Sequence, residues 1–239
     1  MHRQGHSNRR CALSATVGLL LPLLAGCGSN GGGGKNQPTA PTLPTSQAGT
    51  LVVVASVVSN ADPSRNFSTD FTVSLADTGS GLAASGATVE FSTPSGTVSL
   101  SEDSSTPGTY RAQRSGHAGG LYVLAVARGS DVASGSMDMP DAHNIISPSA
   151  GDTLSSNGHL DVSWTRAVAA QEAWIDSKDW TVGPVLDDGV DKIAKGHNDA
   201  RNDQVVGVMR RNAVSPSGMA AGSSMSASVR VSVGPFVVQ

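Results

Sequence analysis

Apolar and polar residues alternate along most of the chain after residue 50. The longest alternating run lies near the C-terminus and has these apolar positions: Met225, Ala227, Val229, Val231 and Val233. A period of two places one set of side chains in a core and the other in water, as in antiparallel sheets with one wet face. Nowhere does the chain show the sustained period of a long helix. The pattern predicts an all-β protein.

Turn residues divide this pattern into two groups of short strands. The first group lies between residues 50 and 140, and the second places Leu160, Val162 and Trp164 on one strand face. Groups of about seven short strands separated by turns are typical of antiparallel β-sandwiches. We therefore predict two such sandwiches, at residues 50–140 and 141–239. A hinge is expected at 141–149 and long loops at 187–203.

Three segments of the first group follow one another in a recognisable order: Gly86-Ala87-Thr88-Val89-Glu90-Phe91, Pro107-Gly108-Thr109-Tyr110 and Gly120-Leu121-Tyr122-Val123-Leu124-Ala125-Val126. Together they resemble the strands and turn of the bacterial immunoglobulin-like modules of surface proteins. The opening of the second group resembles immunoglobulin-like or fibronectin III-like domains, in which a tryptophan packs in the core. The resemblance implies two immunoglobulin-like β-sandwiches with a structural or adhesive recognition role, since such modules act mostly as spacers and binding domains.

The N-terminus has a different pattern, with an almost wholly apolar run over residues 12–24. The preceding segment carries three arginines and no acidic residue. A basic segment, a short apolar run and small residues at a cleavage site predict a secretory signal peptide, residues 1–26. The apolar run is shorter than the roughly 20 residues that a membrane-spanning helix needs.

The apolar run ends in the tetrad Leu24-Ala25-Gly26-Cys27, which resembles the lipobox of bacterial lipoproteins. The resemblance implies that the Cys27 thiol receives a diacylglycerol, that the chain is cut before Cys27, and that the new amine is acylated, with palmitate as the fatty acid. Several acyl chains on one residue give stable membrane anchoring, whereas one chain binds marginally. No aspartate follows Cys27, a pattern that in enteric-type bacteria accompanies export to the outer membrane. The alternatives are a signal cleaved without acylation and a twin-arginine signal.

Composition restricts the partners of the mature chain. Residues 27–49 are rich in glycine and proline and are expected to form a linker between the lipid and the first strand. Removing the signal peptide leaves 13 basic and 19 acidic residues, a net charge of −6, which gives no electrostatic reason to bind nucleic acid. The other cysteine, Cys11, lies in the signal peptide, so no disulfide is expected.

The sequence offers no catalytic motif and no metal-ligand spacing among its histidines. We therefore expect no enzymatic activity, no catalytic residues and no cofactor. An enzyme with an unrecognised site stays as an alternative.

Two groups of residues are candidates for ligand binding. Oxygen ligands for calcium could come from Asp187, Asp188 and Asp191, although solvated loops explain the same residues. A polysaccharide could stack on tryptophan rings and bond to nearby carboxylates, at a site formed by Trp174, Trp180, Glu172 and Asp176. The alternative is that both tryptophans fill the second core.

The leading hypothesis is thus a lipid-anchored, non-catalytic protein of the bacterial cell envelope, at the outer membrane if the host is Gram-negative. Its ligand would be a protein or a polysaccharide, and a carbohydrate-binding accessory protein is the second hypothesis.

Overall fold

Strands account for all the regular secondary structure in the computed structural model, which describes residues 49–239. These residues belong to one compact unit, Thr42–Gln239. The predicted signal peptide, the lipobox and the linker up to residue 48 lie outside the described residues.

The first seven strands follow the predicted first group: β1 (Leu51–Ala61), β2 (Phe67–Asp77), β3 (Thr88–Thr93), β4 (Gly96–Glu102), β5 (Thr109–Ser115), β6 (Gly120–Arg128) and β7 (Asp131–Met139). Eight more strands follow: β8 (Ile145–Ser147), β9 (Thr153–Leu154), β10 (Leu160–Trp164), β11 (Glu172–Ser177), β12 (Thr181–Val185), β13 (Val190–Ile193), β14 (Arg201–Val214) and β15 (Ser224–Val238).

The all-β prediction is confirmed, and so is the alternation on which it rests. Phe71, Val73 and Leu75 are buried on β2, and the intervening Ser74 is exposed. On β10, Leu160, Val162 and Trp164 are buried as expected. Burial of alternate residues drives one face of each strand into a core, because removing apolar surface from water is the main favourable contribution to folding.

The first core lies inside a sheet that folds back on itself. The strand order β15-β1-β2-β5-β4-β3-β6-β7 continues without a break, and β7 then lies against β14 and β15. Phe71 and Phe91 meet in this core with ring centroids 5.4 Å apart. The core is therefore closed by strands from both ends of the chain.

The second core lies between the other end of the same sheet and a small separate one. The larger layer has the order β12-β11-β14-β15, and the smaller layer has the order β13-β10-β8. Trp164, Ile175 and Phe236 are buried together between the two layers.

The last strand joins the two cores. Its first half pairs in parallel with β1 and sends Met225, Ala227 and Val229 into the first core. Its second half sends Phe236 and Val238 into the second core, and β14 pairs with both halves. The predicted boundary at 140/141 thus does not divide the chain into two independent strand sets, because residues after 141 complete the first core.

Two segments differ from the loops that the sequence predicts. The expected hinge at 141–149 contains β8, and the expected loops at 187–203 contain β13. Both strands are short, so too few residues alternate to produce a period of two. They form because β10 lies between them and pairs with each.

Candidate functional site

Strand β11 carries three of the four residues proposed for polysaccharide binding. Ala173 and Ile175 are fully buried, so Glu172, Trp174 and Asp176 lie on the opposite, solvent-facing side of the sheet. The sequence predicted this parity only on the condition that Ala173 and Ile175 point inward. The structure meets that condition.

The Trp174 ring is half-buried against the neighbouring strand β12. A Cβ atom built on Gly183 would lie 2.8 Å from ring atoms Cδ2 and Cε3, so only glycine lets the two strands approach this closely. Gly183 also has a φ of +148°, which side-chain-bearing residues rarely adopt. The indole Nε1 is buried and has no hydrogen-bond partner among residues 49–239.

The carboxylates of this face are ion-paired with arginines of β14 and β15. Asp176 pairs with Arg230, and Glu172 pairs with Arg211 at 3.2 Å. Both pairs are partly exposed, so each contributes little to stability.

A shallow cavity of about 330 Å³ opens beside Trp174. Its lining is Trp174, Asp176, Ser177, Thr181, Met209 and Arg230. The lining combines an apolar floor with hydroxyl groups, a carboxylate acceptor and guanidinium donors. Such a surface suits a polyhydroxylated ring, which presents apolar C–H groups and hydroxyls together.

Trp180 and Glu172 do not line this cavity. Trp180 is 46% exposed and stacks on His197, with ring centroids 4.0 Å apart and an angle of 21° between the rings. The structure therefore brings together two of the four predicted residues, Trp174 and Asp176, and adds Arg230. Neither tryptophan belongs to the second core, which the alternative interpretation required.

The three aspartates proposed for calcium do not form one site. Asp187 is buried, and its carboxylate already accepts hydrogen bonds from other residues of the protein. Asp188 accepts a hydrogen bond from Val190 N, and Asp191 accepts one from Lys192 N. Among residues 49–239, no three His, Cys, Asp or Glu side chains are grouped closely enough to hold a metal ion.

The Asp187 carboxylate pairs instead with Arg210, whose side chain is completely buried. Arg210 Nε and Nη2 each lie 2.8 Å from Asp187 Oδ2, and Nη1 donates to the Asp141 carbonyl at 2.9 Å. The Val168 carbonyl accepts a further bond from Nη2. Asp187 also accepts bonds from Trp164 Nε1 at 2.8 Å and from Ala170 N at 2.6 Å.

These hydrogen bonds decide the charge of Asp187. Burial by itself raises its pKa, but the bonds from Arg210, Ala170 and Trp164 outweigh burial, so the pKa is lowered and the carboxylate is ionised. The pair therefore links three parts of the chain: the connector between β7 and β8 (Asp141), the loop between β10 and β11 (Val168 and Ala170), and strand β14 (Arg210).

The burial of Arg210 is predictable from the alternation of residues on β14. On β14 the buried residues Val206 and Val208 have the same parity as Arg210. Continuing this alternation by one step places Arg210 in the protein interior. A buried charge must be paired, so Arg210 then needs a buried acidic partner.

His143 lies next to this ion pair, in the connector between β7 and β8, and is also buried. Its Nε2 donates to the Val208 carbonyl at 3.0 Å, and its Nδ1 has no partner among the described residues. Burial, followed by the nearby charge of Arg210, lowers its pKa from 6.5 to about 4. His143 is therefore neutral in the folded protein near pH 7.

One serine–histidine contact resembles a nucleophile and base. Ser59 Oγ lies 3.1 Å from His117 Nδ1, and Thr69 donates to the same oxygen at 3.0 Å. Ser59 is fully buried, so no substrate carbonyl reaches its hydroxyl in this arrangement. The contact is a structural hydrogen bond.

Comparisons with known proteins give structural likenesses alone. No protein-family model matches the sequence, and a search of curated proteins finds no match. Within the described residues, no helix is long and apolar enough to span a membrane.

Three of the similar solved structures show how low the sequence identities and TM-scores are. The I-band fragment I67–I69 from titin is 8% identical, with a TM-score of 0.27 over 79% of this chain and 65% of its own. The BSP domain of a biofilm-associated protein is 13% identical, with a TM-score of 0.24 over 77% and 30%. The fibronectin(III)-like modules of Clostridium thermocellum CbhA are 13% identical, with a TM-score of 0.24 over 77% and 94%.

The chain thus spans less than two thirds of the titin fragment's length. TM-scores of this size carry no argument about function.

Replacing Arg210 by methionine should strongly destabilise the protein. The Asp187 charge would stay buried without its partner, and such a loss costs about 3–5 kcal/mol of the free energy of unfolding. Arg211→Met is the matched control: it removes a partly exposed ion pair and should cost less than about 1 kcal/mol. Urea unfolding of both variants checks this, and equal midpoints would contradict the assigned role of Arg210.

Acid should destabilise the protein through His143. Because its folded pKa is below its unfolded value, the unfolded chain binds the proton first, and the free energy of unfolding falls as pH drops from about 6.5 to about 4. The loss attributable to His143 is at most roughly 3 kcal/mol. His143→Gln keeps a donor for Val208 and should remove this part of the pH dependence. His159→Gln, at an exposed histidine, should leave it unchanged when unfolding is measured from pH 7 to 4.

Proposed function

We propose that this protein is a lipid-anchored, non-catalytic component of a bacterial cell envelope that serves as a structural or adhesive recognition module. The observation that carries the proposal is the tetrad Leu24-Ala25-Gly26-Cys27 at the end of an apolar run. A segment rich in glycine and proline follows and leads to β1 at Leu51. An acylated residue, a linker and a folded unit would then follow one another outward from a membrane.

The folded unit suits display of a binding surface. Both β14 and β15 contribute to the two cores, so the two halves share strands and cannot reorient independently without breaking backbone hydrogen bonds. A ligand-binding surface on either half would therefore keep a fixed orientation relative to the other half. Fixed geometry favours recognition because less conformational entropy is lost on binding.

Cys27→Ala should abolish lipidation, and Cys11→Ala should not. The proposal places the acyl chains on Cys27 and puts Cys11 in the removed signal peptide. Both full-length variants are expressed in a Gram-negative host, labelled with an alkyne-bearing fatty acid, and fractionated on a density gradient. The wild type and Cys11→Ala should be labelled and sediment with the outer membrane. Labelling of Cys27→Ala, or an unlabelled wild type, would refute the anchor.

A second candidate function is carbohydrate binding, and the cavity beside Trp174 favours it. The Trp174 ring forms part of the cavity lining, and an aromatic face can stack against the C–H groups of a sugar. The Asp176–Arg230 pair supplies an acceptor and donors at the same cavity. A bound sugar would thus find the groups that hydroxyls require next to an apolar ring.

If the cavity binds a glycan, Trp174→Phe should weaken binding by up to about tenfold, because the smaller ring offers less aromatic surface for stacking. Trp180→Phe is the control, since Trp180 does not line the cavity. A glycan array identifies the strongest ligand of the wild type, and titration of that ligand compares the variants. Absence of any glycan ligand, or equal losses in both variants, would contradict this function.

A further inference from the structure

The methionines of residues 49–239 differ in their access to solvent. Four of them are at most 9% exposed and pack in the first core: Met137, Met139, Met219 and Met225. The remaining one, Met209, is only partly buried and lines the cavity beside Trp174. A thioether is oxidised where an oxidant can reach its sulfur atom. We propose that Met209 is an oxidation site of the folded protein, at which a peroxide converts the thioether to a sulfoxide.

Met209 lies on the solvent-facing side of β14. Its neighbours in the strand, Val208 and Arg210, are both fully buried, so the alternation of side chains turns Met209 outward. The residues directly opposite it are Trp174 on β11 and Arg230 on β15. Directly opposite side chains of an antiparallel pair have Cβ atoms about 5 Å apart. Met209 therefore lies between the indole ring and the guanidinium, in one row across three strands.

Packing in the first core shields the other sulfur atoms. A Cβ atom built on Gly135 would lie 2.8 Å from Met225 Sδ and 2.9 Å from Met219 Cε, so both side chains pack directly against strand β7. A protein interior is packed as closely as an organic crystal, and an oxidant enters it only when the surrounding structure opens. The cavity beside Trp174 admits a small oxidant without such opening. Oxidation of the folded protein should therefore begin at Met209.

The reaction transfers one oxygen atom from hydrogen peroxide to the Met209 sulfur. A lone pair of the sulfur attacks one peroxide oxygen, an S–O bond forms, and the O–O bond breaks. The other oxygen leaves as hydroxide and takes up the proton of the transferred oxygen, so that the products are the sulfoxide and water. The sulfur is oxidised and the peroxide is reduced by the same electron pair. Methionine sulfoxide reductases restore the thioether.

A sulfoxide at this position would change the polarity of the cavity. Its oxygen is a hydrogen-bond acceptor next to Arg230, whose guanidinium donates to Asp176. That ion pair packs on the backbone of β14 at Gly207, where a built Cβ atom would lie 2.8 Å from Asp176 Oδ1 and 3.0 Å from Arg230 Nη2. The new acceptor would compete for the Arg230 donors and replace part of the apolar floor by a polar group. A sugar would then stack less well, a consequence that rests on the proposed carbohydrate binding, whereas the oxidation itself does not.

The test treats the full-length protein, in a non-ionic detergent, with hydrogen peroxide and follows each methionine by mass spectrometry of tryptic peptides. Trypsin cuts after Arg201 and Arg210, so Met209 lies in a peptide without another methionine. In the folded protein Met209 should be oxidised about tenfold faster than the four methionines of the first core. In concentrated urea the core no longer shields them, and the rates should become similar.

Met209→Leu should remove the fast reaction, and Met139→Leu, a substitution of similar volume in the core, should keep it. Thermal melting verifies that both variants are folded. Equal rates at all methionines of the folded wild type, or a faster rate at Met219 than at Met209, would overturn the proposal.

The consequence for the cavity is measured separately with the strongest ligand of the glycan array. Peroxide should lower the affinity of the wild type for this ligand about fivefold and should not lower that of Met209→Leu further. An unchanged affinity after complete oxidation of Met209 would refute the consequence for the cavity. Mass spectrometry needs no glycan, so a failure of the proposed carbohydrate binding and a failure of the oxidation site are distinguishable.

Discussion

A guanidinium group without access to water must find a charge and acceptors inside the protein, and Arg210 finds them in three separate segments of the chain. Removing such a group from water costs several kcal/mol, which only a complete set of partners offsets. The Asp187 carboxylate provides the charge, and the carbonyls of Asp141 and Val168 provide the remaining acceptors. The loop after β10, the connector after β7 and the segment before β13 are thus held by one side chain of β14.

The Arg210–Asp187 ion pair links loops to β14, and β15 joins the two cores. A strand of 15 residues supplies apolar side chains to two cores in succession, which makes the second half dependent on the first. The parallel pairing of β1 with β15 brings the first described strand against the last one. Parallel strands need a long connection between them, and here that connection is nearly the whole described chain. Folding therefore has to bring distant segments together, which costs loop-closure entropy.

The sequence predicted the strands that show a local alternation of apolar and polar residues. It did not predict the strands that form only through pairing with other parts of the chain. Strands β2, β10 and β15 followed from a period of two, because each has a buried and a wet face. Strands β8 and β13 did not, since a strand of three or four residues has too little pattern and owes its existence to β10. The ion pair of Arg210 was not predicted, although Arg210 has the same parity on β14 as the buried Val206 and Val208. Trp174 and Asp176 were predicted as neighbours by parity, but Arg230 entered their cavity only through the pairing of β14 with β15.

The chemistry that the cavity beside Trp174 offers follows from which of its charges are already paired. Beside Trp174 the acid is matched by Arg230, so the cavity has donors and acceptors in balance and favours a neutral, hydroxyl-bearing ligand. The buried Arg210 is matched by Asp187 in a different way, because both of these side chains are closed off from solvent and from any ligand. A surface whose charges are balanced as they are beside Trp174 selects a ligand by stacking and hydrogen bonding rather than by net charge.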